Sequence, residues 1–212
     1  MITGGTHGLG MAIAEALAQA GAQLIITGTT PSKMEDAIAY YQSKGYQAKG
    51  YLFDVTNEED AARNVELITN EIGNIDILVN NAGTILRDPA AEHSDEYWDE
   101  VMEVNLSSQF ILSREIGRTM LAHGSGKIIF TASLLSFQGG INVPGYAASK
   151  GGIARLTMAL ANEWASKGIN VNAIAPGYIS TDNTTALRED KERSASILGR
   201  IPAGRWGEPN DF

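Results

Sequence analysis

The chain has 212 residues, a formal net charge of -9 and no cysteine. The acidic balance argues against nucleic acid or an anionic membrane as partner, and the missing thiols exclude disulfides, thiolate zinc sites and cysteine nucleophiles. Three scattered histidines, His7, His93 and His123, lack metal-ligand spacing, so no metal is expected.

The opening Met1-Ile2-Thr3 is not a signal peptide, and no later apolar run approaches transmembrane length, which predicts a soluble cytoplasmic protein. Next comes Thr3-Gly4-Gly5-Thr6-His7-Gly8-Leu9-Gly10, directly before an alanine-rich helix predicted over 8–20. Glycine allows a tight turn and a close backbone approach to a pyrophosphate, while the helix N-terminus supplies free N–H groups. The spacing Gly-x-x-x-Gly-x-Gly is a relative of the dinucleotide fingerprint rather than the fingerprint itself, and a plain structural turn is the competing reading. Apolar runs at 23–27, 47–53, 75–79, 127–131 and 169–174 read as buried parallel strands. Amphipathic helices are predicted over 31–44, 58–72, 95–123 and 146–167, and several stop before a glycine (Gly21, Gly45, Gly73, Gly168). This alternation predicts an α/β fold, a doubly wound parallel sheet of Rossmann type, as one domain over 1–212.

The most informative run is Tyr146-Ala147-Ala148-Ser149-Lys150, with Ser133 thirteen residues upstream. Positions four apart share a helix face. An ammonium beside a phenol favours the phenolate and makes the tyrosine usable as a general acid or base near neutral pH. A serine hydroxyl can hold the substrate oxygen while the proton moves.

From Thr3-Gly4 through Asp54, Asn80-Asn81-Ala82-Gly83, Asn105, Ser133, Tyr146, Lys150 and Pro176-Gly177, the chain resembles the short-chain dehydrogenase/reductase family along its whole length. The resemblance implies a nicotinamide cofactor across the C-terminal edge of the sheet. It implies hydride transfer to or from a carbinol or carbonyl carbon, with Tyr146 moving the proton and Ser133, rather than Ser136, steadying the oxygen. Lys150 would lower the tyrosine pKa and bond the nicotinamide ribose. Asn105 would hold a water linking the lysine to solvent, against the alternative of a buried asparagine satisfied by backbone. Gly4, Thr6, His7, Gly8, Leu9 and Gly10 would form the pyrophosphate turn. Asp54 and Val55 would meet the adenine, unless Asp54 is only a helix cap. Asn81, Ala82 and Gly83 would lie beside the adenine ribose, and Pro176, Gly177, Ile179 and Thr181 by the carboxamide and phosphates.

The strand over 23–27 is followed by Gly28-Thr29-Thr30, with no acid for a ribose 2′-hydroxyl and only His7 and Lys33 as nearby cations, which leaves NAD and NADP both open. The segments 133–146, 172–185 and 200–207 resemble the sugar-acid branch of the family. That branch implies NAD and a substrate of 2-deoxy-gluconate or 2-dehydro-3-deoxy-gluconate type, from uronate breakdown. Arg87 is the expected carboxylate holder, with a salt bridge to Asp88 as the competing reading; Gln138, Asn142 and Asn183 are candidate hydroxyl partners, and Arg205 reads as structural. The alternatives are a gluconate 5-dehydrogenase, a 3-oxoacyl carrier-protein reductase, or a non-catalytic nucleotide-binding fragment. Family members carry a fuller first strand and a further helix and strand after Phe212. The expectation is therefore a chain truncated at both ends, a homo-oligomer reduced from the family's tetramer to at most a dimer through the helices of Asn105 and Tyr146.

Overall fold

Strands too apolar to face water and helices with a single apolar stripe can bury both only by stacking in layers. The computed structural model, which describes residues 1–211, has that arrangement. Six strands lie in the order β3-β2-β1-β4-β5-β6, all pairings parallel: β1 (Ile2–Thr3), β2 (Leu24–Gly28), β3 (Ala48–Leu52), β4 (Ile77–Asn80), β5 (Gly126–Thr131) and β6 (Ile169–Ile174). The order reverses at β1, which pairs with β2 on one side and β4 on the other. Although only two residues long, β1 is the central strand, and the crevice at this reversal is where open α/β sheets bind ligands.

The helices are α1 (Gly8–Gln19), α2 (Pro31–Ser43), α3 (Glu58–Ile72), α4 (Asp95–Met102), α5 (Ser108–His123), α6 (Pro144–Trp164), α7 (Thr185–Glu189) and α8 (Lys191–Leu198). Alternation along the strands divides the core between the two sheet faces. Ile2, Leu24, Ile26 and Val79 pack with Ala14, Met34 and Tyr41 of α1 and α2. Ile25, Leu78, Ile128 and Phe130 pack with Ile68, Ile116 and Ile153 of α3, α5 and α6.

Three expectations change. The strands at the sheet edges are not fully buried: Lys49 and Leu52 on β3, and Asn170 and Asn172 on β6, face solvent. The helix predicted over 95–123 is interrupted by a π-helical segment, Glu103–Ser107, centred on the buried Asn105. Such a widening frees a turn to bond elsewhere and recurs at functional sites. The short α7 and α8 lie where no amphipathic period announced them; Asp190 caps α8 by accepting from the Arg193 N–H at 2.9 Å. Among the described residues no helix is long and apolar enough to cross a membrane, and no cluster of acids and histidines could hold a metal.

Candidate active site

The glycine turn follows β1 directly. Gly4 (φ +63°) and Gly8 (φ +56°) sit in left-handed conformations that disfavour a side chain. Gly10 is required for closeness instead: a Cβ there would lie 2.3 Å from the Gly4 carbonyl oxygen and 2.5 Å from Asn81 Nδ2. His7 occupies the N-cap of α1 and makes no side-chain cap. Among the described residues, the N–H groups of Thr6, His7, Gly8, Leu9 and Gly10 have no protein acceptor; the first helical bond is Met11 N–H to His7 C=O at 3.2 Å. Consecutive unpaired donors at the positive end of a helix dipole make an anion cradle, and a dinucleotide pyrophosphate fits it.

The turn after β4 is tied to this cradle. Thr3 Oγ1 accepts from the N–H groups of Asn81 (3.0 Å) and Ala82 (2.9 Å), and Asn81 Nδ2 donates to the carbonyls of Thr3 and Gly4. Gln109 Nε2 holds the Ala82 carbonyl from α5 at 2.9 Å. Thr3 therefore braces two loops at once, a role its place in the glycine motif did not disclose.

One cleft is lined by Gly4, His7, Gly8, Leu9, Gly10, Asn81, Ala82 and Gly83 on one side. Ser133, Tyr146 and Lys150 lie beside them, and Pro176, Gly177, Ile179, Thr181 and Asn183 close the other side. Thr131, Ala132, Asp182 and Thr184 also line it and were not anticipated. Thr6, Asp54, Val55, Asn105, Arg87, Gln138 and Asn142 are not among its lining residues. Val55 is buried in the core. Asp54 is exposed and accepts from Thr56 N–H at 2.9 Å and Thr56 Oγ1 at 2.8 Å. It does not cap α3 as the alternative had it; Asn57 does, accepting from Asp60 N–H at 2.9 Å.

Ser133 caps a 3-10 turn, Leu134–Ser136, and its Oγ accepts from Leu135 N–H at 3.1 Å, which leaves the hydroxyl proton free to donate. Ser136 is committed elsewhere, donating to the Lys150 carbonyl at 2.6 Å. Tyr146 and Lys150 lie one turn apart on α6, with Lys150 Nζ 5.6 Å from the tyrosine ring centroid. The expected electrostatic relation between them is corrected by their burial. Desolvation raises the Tyr146 pKa, opposed by Ser133 and by the charge of Arg87; Lys150 is not a contributor. Burial brings Lys150 itself down to about 8, and its Nζ donates to the Thr131 carbonyl at 2.6 Å.

Asn105 is buried at the π-helical segment. Its Oδ1 accepts from Thr84 N–H at 2.8 Å, and its Nδ2 donates to Thr84 C=O at 2.9 Å and Ser149 Oγ at 3.2 Å. With those bonds made, its side chain braces the post-β4 loop against α6. Arg87 forms no salt bridge with Asp88 among the described residues; it donates to the Asn183 carbonyl at 2.8 Å, joining the two rims of the cleft. Asn142, in a left-handed conformation (φ +60°), accepts through its carbonyl from Asp88 N–H at 3.0 Å. Gln138 lines a neighbouring cavity with Arg200 and Arg205. Arg205 is structural as expected, held by Asp211 through bonds of 2.8 and 2.9 Å.

Residues 1–192 match the short chain dehydrogenase family model. A 2-dehydro-3-deoxy-D-gluconate 5-dehydrogenase from Pseudoalteromonas atlantica is 60% identical over 213 residues, covering 100% of this chain and 84% of the relative. The enzyme of the same name from Escherichia coli is 46% identical, with 100% and 83% covered. A crystal structure of a gluconate 5-dehydrogenase from Burkholderia cenocepacia in complex with NADP and tartrate superposes with a TM-score of 0.95 at 35% identity, covering 99% of this chain and 82% of that one. The chain belongs to the short-chain dehydrogenase family and is an NAD(P)-dependent oxidoreductase acting on CH–OH groups.

Proposed function

We propose that this chain interconverts a secondary alcohol and a ketone on a sugar acid of the 2-dehydro-3-deoxy-D-gluconate type, serving uronate breakdown in the cytoplasm. The observation that carries the reading is a cleft holding Ser133 and Tyr146 with an arginine at its rim that has no carboxylate partner among the described residues. The names of the Pseudoalteromonas and Escherichia relatives support the substrate class, as does the hydroxy-diacid tartrate in the Burkholderia complex.

When bound, the nicotinamide supplies hydride exchange with the reacting carbon. In oxidation, ionised Tyr146 takes the substrate hydroxyl proton on its phenolate oxygen as the carbon-bound hydrogen departs with the C–H electron pair. In reduction, Tyr146 returns that proton to the developing alkoxide, and Ser133 Oγ donates to the same oxygen throughout. A positioned acid/base pair of this kind contributes roughly 10²–10⁴-fold in rate. Lys150, whose Nζ donates to the Thr131 carbonyl at the cleft, would hold the nicotinamide ribose. Arg87 uses one N–H on Asn183 and keeps others for a paired contact with the substrate carboxylate. Gln138, Asn142 and Asn183 are the candidate hydroxyl partners, and Asp54 and Val55 the adenine side. Exposed Phe110 on α5 and Met158 on α6 support self-association through these helices as a homo-oligomer, which sedimentation would detect.

The test is to follow the absorbance of reduced nicotinamide with 2-dehydro-3-deoxy-D-gluconate and either NAD or NADP. Turnover is expected, and Arg87→Ala should raise the substrate KM about 10- to 100-fold, as for a lost charge-assisted contact, with cofactor KM unchanged. No turnover despite intact cofactor binding would reject the sugar-acid assignment.

A further inference from the structure

Gly5 is a buried residue of the glycine turn, where a Cβ would come within 3.2 Å of two carbons of Ile26 and 3.4 Å of Ile2 Cγ2. Its carbonyl is thereby turned toward the apolar layer between β1, β2 and α2, where an unpaired acceptor is costly. Among the described residues, the one donor that reaches it is the hydroxyl of Tyr41, at 2.7 Å and from 36 residues further along the chain. Tyr41 is 0% exposed and packs with Ile2, Ile26, Met34 and Val79. Its pKa is raised well above the ordinary tyrosine value, chiefly by burial, so the hydroxyl keeps its proton and stays a donor at every working pH. The neighbouring Tyr40 is directed differently, donating to Glu15 at 2.9 Å near the surface.

The Gly5–Thr6 peptide is trans, like every other among the described residues, so its C=O and N–H point to opposite sides of the backbone. Holding the carbonyl inward fixes the amide outward. From this geometry we infer that Tyr41 is a positioning residue for the dinucleotide: by gripping the Gly5 carbonyl it presents the Thr6 N–H to the phosphates on the adenosine side of the cofactor. Without the grip, that peptide plane is free to rotate, and the first of the five acceptor-free donors is no longer aimed. The inference depends on nicotinamide-dinucleotide binding and is independent of which sugar acid is turned over.

The experiment compares Tyr41→Phe, which keeps the ring and deletes the hydroxyl, with Tyr40→Phe on the same helix. Calorimetric titration with ADP and with nicotinamide mononucleotide separates the two ends of the site. Tyr41→Phe should weaken ADP about three- to tenfold, the range of a single hydrogen bond, and leave nicotinamide mononucleotide unchanged. Its kcat at saturating cofactor should stay within about twofold of the parent, while Tyr40→Phe should bind both ligands normally. Unchanged ADP affinity, or equal loss of both nucleotides, overturns the inference. Should Tyr41→Phe not fold, amide exchange in the parent decides: ADP must protect the Thr6 N–H, and an amide left unprotected by saturating ADP overturns it.

Discussion

Replacing Lys150 by methionine should abolish turnover and, near neutral pH, leave the fold at least as stable as the parent. The ammonium is 3% exposed and its pKa falls from 10.5 to about 8 through burial alone. At about 1.4 kcal/mol per pH unit, that fall corresponds to about 3 kcal/mol of destabilisation while the group is protonated. Methionine removes this penalty and fills a similar volume. It also leaves the buried Thr131 carbonyl without its donor, which costs about 1–3 kcal/mol. The net gain is therefore between about 0 and 2 kcal/mol, or up to several degrees in Tm for a chain of this size.

The pH dependence is the sharper signature. The unfolded chain keeps its lysine protonated up to the ordinary 10.5, while the folded chain releases the proton above about 8. Between those values the unfolded state binds more protons, so parent stability rises with pH. The advantage of Lys150→Met should be complete below about pH 8 and shrink steadily toward pH 10.5. Urea unfolding followed by circular dichroism across that window measures it. A stability difference that stays flat with pH would refute the assignment of Lys150 as a charge held against its desolvation cost.

Ser133→Ala should lower kcat by about 10²-fold or more with cofactor affinity unchanged, as expected for loss of one oxyanion donor; steady-state kinetics with a calorimetric cofactor titration checks both. Gly10→Ala forces a Cβ to 2.3 Å from the Gly4 carbonyl, so cofactor binding should fall below detection in the same titration, and near-parental affinity would show that the turn yields easily. Because burial raises the Tyr146 pKa, alcohol oxidation should accelerate as pH rises toward deprotonation of the phenol. Removing the opposing charge with Arg87→Ala should move that limb of the pH–rate profile to higher pH, measured on a neutral alcohol so that carboxylate binding plays no part.

The β-α order, the glycine turn, the stop glycines and the Tyr146–Lys150 face were all legible because each depends on local spacing. A glycine ends a helix, and a four-residue interval makes a shared face, whatever lies around them. The π-helical segment was not legible: it is centred on Asn105, whose side chain bonds Thr84, 21 residues away. The competing reading of Arg87, an ion pair with its neighbour Asp88, fails for the same reason: the atom it meets belongs to Asn183, 96 residues on. The half-exposed β3 and β6 followed from their places at the sheet edges, and strand order is not encoded within a single strand.

The least legible property is the direction in which the acid/base pair is tuned. Spacing correctly placed a lysine one turn from a tyrosine, and from adjacency alone the phenol pKa should fall. Adjacency along a helix says nothing of depth. α6 sets Lys150 against the sheet, where desolvation acts on both groups and drives the lysine down and the tyrosine up. The charge that opposes the rise on Tyr146 comes from Arg87, on a different loop at the cleft rim. Proton affinity at the phenol oxygen thus depends on the same guanidinium that we propose receives the substrate carboxylate. A carboxylate neutralising Arg87 would weaken its pull on the phenol, coupling acid recognition to the protonation state of Tyr146.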